Sequence, residues 1–275
     1  MLLKQMLAML VMTAALWGAL LFARVVTTPV LVLLWLSCAA LLGMGLWHRA
    51  KRRRRVWLNA YLLEHSVLTV GLRGGLLMAL WQACLALSLT LFLLLLLIRN
   101  DAAALWPALL VAALALPPLS YAAERILRAH FVPLYRHELA SHAAVSIIAL
   151  VLCGYVLWFA YNESYPELQA LSLEQAVWSR VLLQEARSPA LQLLLELAAA
   201  VDGASLWLAQ RLLPAPAQSL WQGLGWILLL ARDALFVWSY MLLCRGVLSV
   251  CGGAMSAAQS FVKGSVVKEP VHVSD

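Results

Sequence analysis

Arg232 and Asp233 stand side by side in an otherwise apolar stretch, Leu220–Cys244, and are the residues best placed to do chemistry. Ionisable groups at bilayer depth are costly, so they face protein or water and mark an internal partner or a pathway. Neighbours on a helix point about 100° apart, because 3.6 residues make a turn, so the two can engage different helices. Two readings follow: a structural ion-pair lock between packed helices, and a transport or gating element. The lock is favoured.

His137-Glu138-Leu-Ala-Ser-His142 is one residue away from a zinc-protease helix. That chemistry needs histidines four apart, so that both reach one metal from one face. Five apart, they rotate away from each other, and a solvated helix at headgroup level is the expected reading. No metal site is predicted. Lys51, Arg52, Arg53, Arg54 and Arg55 form a basic run that is expected to set topology and meet acidic phospholipid headgroups. No contact with nucleic acid is predicted.

Gly43-x-Gly45, Gly223-x-Gly225 and Gly252-Gly253 lack the strand-turn-helix setting of a nucleotide loop and read as sites of close helix packing. The five cysteines are scattered without a C-x-x-C pair, and read as small buried hydrophobes. Many of the twelve tryptophans fall near the ends of apolar runs, as interfacial aromatics do. The chain has no Walker A loop, no G-x-S-x-G and no haem-attachment motif. The expectation is a protein that is not an enzyme and carries no cofactor.

The elements that must position these residues are set by solvent. The chain is 64% hydrophobic and 12% charged with a mean hydropathy of +0.87, whereas a soluble domain is about half apolar and about a quarter charged. So much apolar surface cannot be hidden from water in a fold of this size. A crossing needs about 20 apolar residues. Gln5–Ala23, Val25–Trp47, Gly74–Ile98, Ala102–Ala123 and Ala143–Tyr161 meet this without a charge, and Leu220–Cys244 is the sixth. The first run lacks an A-x-A cleavage site and is read as an uncleaved helix rather than a signal peptide. A kink or early stop is expected at Pro117-Pro118.

The fold class predicted is all-α, a polytopic membrane bundle of about six transmembrane helices, with an integral domain over 1–251 and a polar, partly disordered cytoplasmic tail over 252–275. With the N-terminus inside, the inner segments hold fourteen Lys/Arg against five Asp/Glu, and the outer segments five against seven. The distribution of Lys and Arg therefore places both termini in the cytoplasm. Val56–Arg73 reads as an interfacial helix. The outer segment 162–219 reads as three surface helices: one from Ser172 to about Arg187 with Ser172 and Gln175 as a capping box, one ending near Asp202-Gly203, and a short one over Ala204–Leu213.

Function is expected to be that of an anchoring or scaffolding subunit in a bacterial inner-membrane assembly of the secretion or DNA-transfer type. Its partners would be other membrane-complex proteins or itself. The alternative is a small homo-oligomeric channel or transporter built on Arg232 and Asp233.

Overall fold

The computed structural model describes residues 2–61, 76–99, 105–129, 133–162, 172–212 and 231–251. Among them every regular element is a helix: α1 (Leu2–Leu21), α2 (Thr28–Tyr61), α3 (Leu76–Arg99), α4 (Leu105–Leu127), α5 (Pro133–Asn162), α6 (Leu173–Val181), α7 (Pro189–Leu212) and α8 (Ala231–Cys251). The chain is an all-helical polytopic bundle. Large apolar side chains cover its outside: Leu3, Leu7, Val11 and Leu21 on α1, and Ile147, Leu150, Val151 and Trp158 on α5, are all exposed. A water-soluble monomer does not carry apolar surface on this scale, and a lipid-facing bundle does.

Lipid tails are as apolar as leucine, so helices in a bilayer associate through close packing and polar contacts rather than a hydrophobic drive. Gly43-x-Gly45 shows how. A Cβ on Gly43 would lie 3.3 Å from Ala86 Cβ of α3, and one on Gly45 would lie 2.9 Å from Gly246 Cα of α8. A Cβ on Gly246 would overlap the Leu41 carbonyl oxygen. α2 thus meets two helices within one turn, at points where only small residues fit. Gly223-x-Gly225 and Gly252-Gly253 lie outside the described residues.

α8 is the axis of the bundle, and among the described residues its span is the most buried. Tyr240 is fully buried and donates to the Leu109 carbonyl of α4 at 2.9 Å, with Thr13 of α1 3.5 Å from its hydroxyl. Around this axis α4 packs on α1 and α5, and α2 packs on α3.

These crossings define two ends. From the Gly43/Ala86 contact, Thr28 and Arg99 each lie roughly 20 Å along their helices at 1.5 Å per residue. From the Gly45/Gly246 contact, Arg232 lies roughly 21 Å along α8 in the same direction. Trp17 and Trp106, with ring centroids 6.3 Å apart, bring the end of α1 and the start of α4 to this level. We call this the Arg24 end. The opposite end carries Arg49, Glu124, Arg136, Glu138, His142 and Arg245.

Among the described residues seven helices are long and apolar enough to cross a membrane, one more than the six runs expected from the sequence, and the addition is Pro189–Trp207. Its attachments decide how it lies. Ser188, just before α7, bonds Thr28 at 2.8 Å, and Asp202 within α7 contacts Arg99 and Arg232. These points are roughly 21 Å apart along α7, yet both belong to the Arg24 end. The stretch between them therefore lies across that end instead of running down the bundle. Composition alone does not distinguish the two cases.

Other boundaries differ from expectation. α4 runs through Pro117-Pro118 to Leu127 without stopping, and Ser120 Oγ donates to the Pro117 carbonyl at 2.8 Å. α2 continues past Trp47 to Tyr61, so the Lys51–Arg55 run is helical rather than looped. α5 begins at Pro133 and takes in Glu138 and His142. α7 passes through Asp202-Gly203 and absorbs the expected third surface helix as far as Leu212. Gly203 serves close approach there, since a Cβ would sit 3.0 Å from the Ala176 carbonyl oxygen of α6. α6 stops at Val181, short of Arg187, and both capping-box bonds between Ser172 and Gln175 are present. The expected interfacial segment beyond Tyr61 and the tail over 252–275 lie outside the described residues.

Candidate functional site: an ionic chain at the Arg24 end

Arg99 is the last residue of α3, Asp202 lies on α7, and Arg232 and Asp233 open the described part of α8. The Asp202 carboxylate accepts from both arginines: Arg99 Nη2 and Arg232 Nη1 converge on the same oxygen, the latter at 3.0 Å. Arg99 Nη1 also donates to the Ala198 carbonyl one turn earlier on α7, at 3.1 Å. Arg232 donates through Nε to Asp233 Oδ1 at 3.0 Å. Two cations and two anions thus alternate along one chain, Arg99–Asp202–Arg232–Asp233.

The side chains are mostly enclosed, with 17% of Arg99, 20% of Asp202, 33% of Arg232 and 13% of Asp233 exposed. Burying one such charge alone would be costly, and mutual pairing with satisfied hydrogen bonds offsets that cost. An arginine fork suits the task, because it donates in several directions from one rigid plane.

Arg232 and Asp233 open the described part of α8, which continues past Cys244 to Cys251. They lie level with the ends of α2 and α3. They do bond each other, and Arg232 also bonds α7. Sequence reading did not find Arg99 and Asp202 as their partners. The available signal was weak: Arg99 is a lone cation closing an apolar run, and Asp202 is a lone anion inside one.

Beside the chain, Arg24 Nη2 donates to the Ile98 carbonyl at 3.3 Å, and the Arg187 amide donates to the Arg24 carbonyl at 3.0 Å. The turn between α1 and α2, the end of α3 and the start of α7 are therefore stitched together at one level.

At the opposite end, Arg49 Nη2 lies 2.7 Å from His142 Nε2, and His142 Nδ1 lies 3.3 Å from Ser146 Oγ. Guanidinium has only donors, so Nε2 accepts and the ring proton sits on Nδ1. Glu138 pairs with Arg245 of α8. His142 and Glu138 thus join α5 to α2 and α8, respectively. The side chains of His137 and of Arg52, Arg53, Arg54 and Arg55 lie outside the described residues, and Lys51 is exposed.

Comparison with protein-family models, with curated proteins and with solved structures finds no match to this chain. The class of protein therefore rests on the fold, and that class is a multi-pass helical membrane protein.

Proposed function

We propose that the chain is a non-enzymatic anchoring or scaffolding subunit of a larger bacterial envelope assembly, of the secretion or DNA-transfer type. In this reading it sits in the inner membrane with the Arg49 end and both termini in the cytoplasm. Helices α1 to α5 and α8 make six crossings, and the α6–α7 hairpin lies at the outer face.

The observation that carries the proposal is the ionic chain. Arg232 and Asp233 are spent on each other and on Asp202, and through Asp202 they fasten α7 to α3 and α8. Charges used in this way position a hairpin; they do not line a path. The hairpin so fastened exposes Trp178, Leu182 and Leu183 near α6, and Leu193, Leu197 and Val201 along one face of α7. An apolar ridge on a fixed support is the kind of surface a second membrane subunit can pack against.

Three measurements test this. Reporter fusions after residues 50, 136 and 265 should be cytoplasmic, and a fusion after residue 185 external. Mild detergent extraction of the tagged chain from its native membrane should recover a stoichiometric heteromeric complex. The purified chain should be silent in a planar bilayer. A homo-oligomer that conducts, and that loses conductance in Asp233→Asn at normal abundance, would overturn the scaffold reading.

A further inference from the structure

A cleft of about 510 Å³ opens between the turn joining α1 to α2 and the segment joining α6 to α7, lined by Arg24, Glu185, Ala186, Arg187 and Gln192. Its two walls are held together by the Arg187–Arg24 backbone bond and by the Thr28–Ser188 hydroxyl pair. Glu185 and Arg187 are exposed, and among the described residues neither side chain is in an ion pair. Gln192 gives its Nε2 to Glu196 at 2.9 Å, which leaves its Oε1 as an acceptor. The lining therefore combines the Arg187 guanidinium, and that of Arg24, which also donates to the Ile98 carbonyl, with a carboxylate and a carbonyl acceptor.

The cleft has a defined depth. Leu21, Phe22 and Val25, which flank Arg24 in sequence, are 64%, 65% and 62% exposed. Apolar side chains at the end of a crossing lie among acyl chains, and arginines just beyond them lie at the level of lipid phosphates.

We propose that this cleft binds a zwitterionic phosphoethanolamine headgroup. Arg24 and Arg187 hold the phosphate, Glu185 and the Gln192 carbonyl accept from the primary ammonium, and the acyl chains lie over Phe22 and Val25. A phosphate diester suits arginine forks. An ammonium with N–H donors suits the carboxylate, whereas a trimethylated ammonium cannot donate to it and a glycerol headgroup brings no positive charge. Free phosphoethanolamine carries the same ammonium with a phosphate monoester, and no acyl chains.

Native mass spectrometry of the detergent-purified full chain tests the site. The chain is titrated with phosphatidylethanolamine, phosphatidylcholine and phosphatidylglycerol of identical acyl composition, with soluble phosphoethanolamine and inorganic phosphate as competitors. Phosphatidylethanolamine should be retained at least tenfold more tightly than the other two. Glu185→Gln should abolish that preference while leaving phosphatidylglycerol binding intact, and Arg187→Gln should weaken all three. Both residues are exposed, and unchanged circular dichroism will show that the variants fold. Equal retention of the three lipids by the parent chain would overturn the proposal, and so would a preference that survives Glu185→Gln. Displacement by soluble phosphoethanolamine at lipid-like concentrations would overturn the lipid assignment in favour of a water-soluble phosphate ligand.

Discussion

Asp202→Asn removes the carboxylate that Arg99 and Arg232 share and leaves two guanidinium groups facing one neutral amide. Both bonds to Asp202 join α7 to its neighbours, and a hydrogen bond to a charged group contributes about 1.5–3 kcal/mol. A neutral amide keeps part of each, so the net cost is about 2 kcal/mol. The cost falls on the docking of α7, since among the described residues α7 touches α2 and α3 far less than it touches α6. Local opening of α7 should therefore rise roughly 30-fold, at about 1.4 kcal/mol per tenfold. Hydrogen–deuterium exchange of the α7 amides in nanodiscs reads this directly, while the amides of α4 and α5 should keep their protection. Adding Arg99→Gln should cost less than it does in the parent chain, because one of the bonds it removes is already weakened. Wild-type exchange in Asp202→Asn, or a double variant that loses as much as the two single variants together, would refute the reasoning.

Gly246→Leu should abolish folded protein, because its Cβ would overlap the Leu41 carbonyl oxygen; Gly18→Ala, with nothing within 4 Å of the new methyl, is the matched control. Size-exclusion profiles in detergent decide between them. Tyr240→Phe removes the hydrogen bond to the Leu109 carbonyl and should cost about 1 kcal/mol, read as a small fall in the midpoint of thermal unfolding followed by tryptophan fluorescence. Ser172→Ala removes one arm of the capping box, again at about 1 kcal/mol. That loss should be confined to exchange in the first turns of α6; a global change in unfolding midpoint would contradict the local assignment.

The sequence by itself determined the solvent and the class of structure. Apolar runs of about 20 residues can be satisfied in lipid only as helices, so an all-helical polytopic bundle could be foreseen before any contact was known, although the expected sixth run, Leu220–Cys244, differs from the described helix Ala231–Cys251. The capping box at Ser172 was legible for a related reason: its two bonds close within four consecutive residues and need no distant partner. Gly43-x-Gly45 was legible as a packing site, although not which helices it would admit. Local rules failed where a residue answers to something far along the chain. Gly203 looked like a helix stop, but α7 continues through it because α6 presses its backbone against that position. Asp202 looked like a helix terminus, and Arg99 is a lone cation closing an apolar run; they are 103 residues apart and meet only because α7 folds back over the ends of α3 and α8. The attitude of α7 is the clearest case. Its length and composition allow a crossing, and only the anchoring of Ser188 and Asp202 at the same end of the bundle lays it flat. Hydropathy states what a helix can tolerate, whereas the pairing of charges from three helices decides where it lies.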